Sequence, residues 1–452
     1  MLKGYRRMPK YFRYGRHFGS FSKLLRESQW WDLDRLEEYQ FEKLNHLLIH
    51  CYRNVPYYQK KFAEYGITPQ KIKDLNDIKH LPILTRQDIR DHIHELKAIN
   101  WRRYGLHEGH TSGTTGTPLI FFSDDASRSI EKAAAWRHWN WAGYNYGDPR
   151  VTIRGARSFF AKDKYGRRPL FEYDRKENNL IISSLSLTID NMPKIIKIIN
   201  NFCPNLLRLY PSTAFVLAQY LNNTKKEFCS PKAIVTSSEP LLNWHKDFIE
   251  TQLGAPIFDY YGLSEIVVSA NDCEKHEAYH INMEYGIIEF IDSDGNQASP
   301  GTYSQIIGTS LHNYVMPLIR YKTGDIGKYN GKKCSCGRNL PLLNGIYTKC
   351  DDLVITKEGK IITPSALTFA FKGLLDNIEK SQVIQESFEE IIVIIVKRAN
   401  YSDKDTKIIK KNLDYLLESK VRVNFQFAED IPRTEAGKYR WVISNVYGGI
   451  FD

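Results

Sequence analysis

The sequence predicts an α/β protein, with a large multi-sheet N-terminal domain over residues 1–350 and a small α+β C-terminal domain over residues 351–452. Three observations carry this. From about residue 105 short apolar runs alternate with helical patterns, which implies βαβ units and a largely parallel, covered sheet. After about residue 280 strand patterns dominate, as in HINMEYGIIEFID and TYSQIIGTS. Around CDDLVITKEGKIITP the composition resets, so the boundary is placed near Lys349–Asp352. At 452 residues the chain is too long for one ordinary core.

The elements follow in order. Residues 1–26 form a basic arm: Lys3, Arg6, Arg7, Lys10, Arg13, Arg16, Lys23 and Arg26 meet no acid and are interleaved with aromatics. Residues 33–53 carry apolar positions at helical spacing, and Pro56 interrupts them. Thr85 reads as an N-cap with Asp88 three residues on. Next come the strand PLIFF, the helix ASRSIEKAAAWRHWNWAG and the strand RVTIRGA. MPKIIKIINNF, TAFVLAQYL and NWHKDFIETQL read as helices, and NLLRLY, KAIVTSS and PIFDYYG as the strands between and after them. In the C-terminal piece EEIIVIIVKR and VRVNFQFA are strands flanking the helix KIIKKNLDYLLESK.

Composition removes several classes. Apolar residues are 42% and charged residues 25%, ordinary for a globular chain. No run reaches the roughly 18 apolar residues of a spanning helix, and the basic N-terminus has no apolar core of a secretory signal, so a cytoplasmic location is expected. The cysteines are Cys51, Cys203, Cys229, Cys273, Cys334, Cys336 and Cys350. An odd count in such a chain argues against a disulfide framework and turns close pairs into metal-ligand candidates. The formal charge of +11 is concentrated in the arm, which suits an anionic membrane surface or an acidic partner. A nucleic-acid-binding body is not indicated, and the sequence leaves a homodimer open.

The chemistry-bearing segments begin with Thr111-Ser112-Gly113-Thr114-Thr115-Gly116-Thr117-Pro118. Its glycines let backbone approach a ligand, and successive N–H groups with hydroxyls suit phosphate oxygens. It is not a Walker loop, because Gly-Lys-Ser/Thr is absent. This segment resembles the phosphate loop of the adenylate-forming superfamily, and four others agree in order. Asp259-Tyr260-Tyr261-Gly262-Leu263-Ser264-Glu265 resembles the motif whose Glu helps hold Mg2+ and whose aromatic lies by adenine. Arg320-Tyr321-Lys322-Thr323-Gly324-Asp325 resembles the motif whose Asp holds the ribose hydroxyls. Thr348-Lys349-Cys350-Asp351-Asp352 resembles the hinge, and Pro432-Arg433-Thr434-Glu435-Ala436-Gly437-Lys438 the catalytic-lysine segment.

NVPYYQKKF, LPILTRQDIR, MPLIRYKTGDIG and CSCGRNLP narrow the resemblance to the phenylacetate–CoA ligase family, including its CapK-like members from polysaccharide loci. It covers roughly residues 35–445. TSSEPL matches the family's Gly-Ala-Glu-Pro segment with Ser237 and Ser238 substituted, and Thr348-Lys349 replaces Gly-Arg in the hinge.

The resemblance implies an adenylation domain and a mobile C-terminal domain that turns about Asp351. It implies an AMP-forming ligase using ATP, Mg2+ on Glu265, and coenzyme A as acceptor. Lys438, Glu265 and Thr114 form the implied catalytic set. Nucleotide contacts are implied for Thr111, Ser112, Gly113, Thr114, Thr115, Gly116, Thr117, Ser238, Glu239, Pro240, Asp259, Tyr260, Tyr261, Gly262, Asp325 and Lys349. Tyr210, Pro211, Ser212 and Tyr261 line the acid pocket, and an aromatic wall favours an aromatic or medium-length acid. Carboxylate attack on a phosphate crowds anions, so positioning and positive charge must do most of the catalysis.

Two rival readings stand beside this one. An amine or hydroxyl, as on a sugar or amino acid, replaces coenzyme A as acceptor. Alternatively a basic nucleic-acid- or membrane-binding protein retains a lapsed enzyme core. A separate signal is metal: Cys334-Ser335-Cys336 with Cys273 and His280 makes a zinc set, with His276 nearby and Cys350 a weaker substitute. Four protein ligands leave no open position, so such a zinc is structural.

Overall fold

The protein is described by a computed structural model covering residues 14–110, 119–154, 169–347 and 354–446, less 189, 240, 242, 293, 358–360, 363, 372, 373, 375, 376, 419 and 432–440. The chain divides into two compact units, one of residues 1–111, 119–145 and 258–348, the other of 112–118, 146–257 and 349–452. Among the described residues no helix is long and apolar enough to cross a membrane.

The first unit is built on antiparallel strands in the order Gly286–Ile291, Tyr303–Ser310, Tyr321–Tyr329, Leu342–Tyr347, Tyr279–Ile281, Ser269–Asn271 and Ile257–Gly262. HINMEYGIIEFID therefore holds two strands, because residues 282–285 turn the chain and only Gly286 onward pairs with 305–310. Helices Leu33–Asn54, Pro56–Glu64 and Arg86–Leu96 pack on this sheet through Leu44, Leu47, Tyr58, Phe62 and Ile89, all nearly inaccessible. Thr85 closes a reciprocal capping box with Asp88. Leu84 is pinned to the sheet, donating to the Arg320 carbonyl at 3.0 Å and accepting from the Lys322 amide at 2.8 Å.

Half of the basic arm belongs to this core. Residues Phe18–Ser28 form a helix whose Leu25 packs with Ile130, Ala133, Ala134, Ile266 and Tyr285. Arg137, on the helix Asp125–Trp141, donates to the Leu25 carbonyl at 3.0 Å and pairs with buried Glu284 at 2.8 Å. A count of basic residues hid this amphipathic helix, since Phe18, Phe21 and Leu25 fall on one face. Residues 1–13 lie outside the described residues.

The second unit contains the parallel sheet the alternation predicts. Its order is Ala233–Ser237, Leu206–Leu209, Arg150–Ile153 and Asn179–Ile182, edged by antiparallel Phe171–Asp174. Helices Met192–Phe202, Pro211–Thr224 and Asn243–Leu253 share its core, with Ile195, Ile199, Leu217 and Ile249 fully buried. Cys203 and Cys229 form a disulfide with Cα atoms 5.6 Å apart, which corrects the expectation of cysteines without disulfides. Spacing conceals this pair, because the helix Met192–Phe202 and the segment after Thr224 meet only in the fold.

Residues 354–445 supply the rest. Strands Arg422–Phe427, Glu390–Lys397, Ile378–Ser387 and Val442–Ser444 pair in that order. Helix Asp403–Leu416 sets Ile409, Leu413 and Leu416 into a core with Val393, Phe371 and Trp441.

Candidate functional site

Strand alternation distributes the 259–265 motif. Asp259 and Tyr261 project to one side of Ile257–Gly262, Tyr260 and Gly262 to the other. Tyr260 donates to Glu131 at 3.2 Å and receives the Ser269 hydroxyl at 3.1 Å. Its ring lies over Gly262, where an added Cβ would come within 2.6 Å of it, so any larger residue would have to displace the ring. Asp259 accepts from the Tyr279 hydroxyl at 2.7 Å, and Tyr261 donates to Asp325 at 3.0 Å. Burial first, then the Asp325 carboxylate, push the Tyr261 phenol well up, so it stays a donor.

The Gly-Asp motif joins Glu265 to this group. Gly324 holds φ at 85°, the left-handed region open to glycine, and Thr323 accepts from the Asp325 amide at 3.0 Å. Tyr321 donates to Glu265 at 2.8 Å, although the two residues are 56 positions apart. Glu265 is 2% exposed and faces a cation that lies outside the nucleotide motifs. Arg86 Nη2 lies 3.5 Å from Glu265 Oε1, and Arg86 Nε donates to the Tyr321 hydroxyl at 3.2 Å. Arg86 is the first residue of its helix, where the helix dipole disfavours a cation. A misplaced charge directly after a good N-cap was the available sequence signal.

In the second unit Tyr210 is the N-cap of Pro211–Thr224, and Pro211 occupies the first helical turn, where its missing N–H costs nothing. Ser212 follows in the same helix. Ser237 ends its strand, and Ser238 takes φ 75°, uncommon for a residue with a side chain. Glu239 follows at the strand's carboxyl end. Thr111, Ser112, Gly113, Thr114, Thr115, Gly116, Thr117, Pro240, Lys349, Asp351 and Lys438 lie outside the described residues.

The metal candidates converge. Ligand atoms of Cys273, His280, Cys334 and Cys336 all lie within 4.8 Å of one another. Cys273 Sγ is 3.7 Å from Cys334 Sγ, and Cys336 Sγ is 3.4 Å from His280 Nε2. Ligands about a tetrahedral zinc stand roughly 3.8 Å apart when the bonds are sulfur bonds of usual length. Burial holds His280 down to about 4, its neutral, ligating form, and pushes the Cys334 thiol up to about 11. A cation would reverse the thiol preference, since a coordinated thiol is deprotonated. Three sulfurs and one imidazole nitrogen are a donor set that fits zinc.

His276 instead bonds Asp272 at 2.6 Å. Around the cluster, Arg338 pairs with Glu274 at 2.9 Å and stacks 4.3 Å over Trp141, whose indole donates to Gln29 at 2.8 Å.

Residues 354–445 match the family profile described as the CapK C-terminal domain. The chain is similar to Protein CapK of Staphylococcus aureus, 27% identical with 96% of this chain and 94% of that protein covered. It is also similar to the phenylacetate–coenzyme A ligase of Thermus thermophilus, 25% identical over 91% of this chain and 96% of the relative. Among solved structures, a 2-hydroxyisobutyryl-CoA ligase in complex with 2-HIB-AMP and CoA matches with a TM-score of 0.62 at 20% identity. It covers 92% of this chain and 91% of that one, and the likeness is one of fold.

Proposed function

We infer the function from the premise that this chain belongs to the adenylate-forming superfamily, in its phenylacetate–CoA ligase and CapK branch. It is an AMP-forming carboxylate ligase. A carboxylate oxygen attacks the α-phosphorus of ATP, the bond to the β-phosphate oxygen breaks, and pyrophosphate leaves. An acceptor then attacks the acyl carbonyl of the adenylate, and AMP leaves. Coenzyme A is the acceptor in this reading, attacking as its thiolate. The observation that carries it is the joining of two distant motifs: Tyr321 binds Glu265, and Tyr261 binds Asp325.

In this reading Glu265 would hold Mg2+, which would supply positive charge at the phosphates. Tyr321 and Arg86 orient the Glu265 carboxylate through the contacts above. Asp325 offers acceptor oxygens to the ribose hydroxyls, with Tyr261 fixing one of them. The 111–117 loop offers backbone N–H groups and hydroxyls to phosphate oxygens, and Lys438 supplies charge at the attacking carboxylate. Residues 1–350 form the adenylation domain and 351–452 the moving one.

ATP–pyrophosphate exchange over a panel of carboxylic acids tests the first half-reaction. Acceptors are then screened against the acids that exchange. Exchange with no acid would remove the assignment.

A second reading keeps adenylation and transfers the acyl group to an amine or hydroxyl in polysaccharide synthesis. The match of residues 354–445 to the CapK C-terminal domain favours it, and product analysis with coenzyme A against amino sugars separates the two. We also propose that Cys273, His280, Cys334 and Cys336 hold one structural zinc.

A further inference from the structure

A guanidinium with no carboxylate partner among the described residues stands at the carboxyl ends of the parallel strands. Arg154 follows strand Arg150–Ile153, which is flanked on both sides by parallel strands. Tyr210 and Ser238 stand just past the ends of Leu206–Leu209 and Ala233–Ser237. Ligands of open α/β sheets bind at this edge.

Among the described residues, neutral groups alone hold the Arg154 side chain. Its guanidinium carbon lies 4.3 Å from the centre of the Tyr210 ring. Nη2 donates to Ser237 Oγ at 3.0 Å and to Ser238 Oγ at 2.8 Å. Nε is buried and has no hydrogen-bond partner among the described residues. No acidic residue among them pairs with Arg154. Ser238 makes its contact from the left-handed region, at φ 75°. Backbone held in a sparsely populated conformation persists where the surroundings over-determine it, and such residues cluster at ligand clamps.

A guanidinium cannot shed its proton, so its charge seeks a partner. Its remaining donors suit the planar oxygens of a carboxylate. An aryl or alkyl acid resting on Tyr210 would leave that charge unmatched. We propose that Arg154 selects the acid, and that the substrate carries a second anionic group besides the carboxylate that is activated. The class is a dicarboxylate or an equivalent acidic acyl donor, in place of the aromatic acid that the tyrosines alone suggest. This inference rests on the ligase reading.

The test is ATP–pyrophosphate exchange with chain-matched acids: glutarate against pentanoate, and adipate against hexanoate, with phenylacetate as the aromatic reference. The native enzyme should favour a diacid over its monoacid by about 100-fold in kcat/KM, the scale of a hydrogen bond to a charged group. In Arg154→Met that ratio should fall to within about threefold of one, mainly through KM for the diacid. Arg154→Lys, which keeps the charge, should recover part of the ratio and shows that loss in the methionine variant is not misfolding. Preference for a monoacid or phenylacetate by the native enzyme overturns the inference and leaves the ligase reading intact. Equal slowing of every acid in Arg154→Met also overturns it, since that marks a general role at the reacting carboxylate. Absence of exchange with all acids removes the ligase reading and this inference together.

Discussion

Lys438 is the residue whose assignment is most exposed to a single experiment. Its ammonium is a compact charge on a long stem, suited to bridging the attacking carboxylate and the α-phosphate. In the proposed mechanism that role ends once acyl-AMP has formed. Lys438→Ala should therefore lose roughly two to four orders of magnitude in adenylation, as for one preorganised charge contact. Transfer from synthetic acyl-AMP to the acceptor should stay close to the native rate. Asp351→Pro should show the reverse pattern, because a stiff hinge adenylates without turning. Equal slowing of both half-reactions in Lys438→Ala would count against two orientations. At this scale motif residues such as Glu265, Asp325 and Gly262 are legible in sequence, because their chemistry needs one residue type at one spacing. Arg86 and Arg154 are not, because an arginine beside a helix start or strand end acquires meaning only from what faces it.

Two elements behave differently from their composition. The helix Phe18–Ser28 looks basic and solvated, yet it carries Leu25 into the core at 1% exposure. Leu25→Ala should lower the unfolding free energy by about 3 kcal/mol, by lost burial and a residual cavity. Removal of residues 1–28 should abolish a cooperative transition. A truncated 29–452 chain that melts like the full chain would show that the helix is dispensable. The proposed zinc site makes a second prediction. Purified protein should hold about one zinc per chain, and Cys336→Ser should lose it and melt earlier, while adenylation by the folded fraction changes little. Metal analysis without zinc in protein purified away from chelators would refute the site. The spacing of Cys334 and Cys336 is visible in the sequence, but the choice of His280 over His276 is not. Pairing of Tyr279–Ile281 with Leu342–Tyr347 brings His280 to the thiols, while Asp272 takes His276.

For the molecule as a whole, buried imidazoles set its response to acid. His312, whose Nε2 lies 2.7 Å from the Glu284 carbonyl, is held down to about 4 by burial, and His138 to about 3. Both refuse a proton that the unfolded chain accepts at its ordinary value of 6.5. Stability from these sites is thus complete above about pH 6.5 and is lost as pH falls toward 4, by about 3 kcal/mol for His312 alone. Urea midpoints at pH 7.5, 6 and 5 should fall in that order (roughly linear ΔG with denaturant makes them comparable), and His312→Gln should flatten the trend. A pH-independent midpoint would contradict it. The sequence by itself determined the α/β class and the order of the motifs, because periodicity and fixed spacing are local properties of the chain. Only the tertiary structure decided the Cys203–Cys229 disulfide, the packing of the N-terminal helix and the guanidinium at Tyr210. Each of these depends on segments far apart in sequence meeting across a sheet, and no local pattern records which partners will meet.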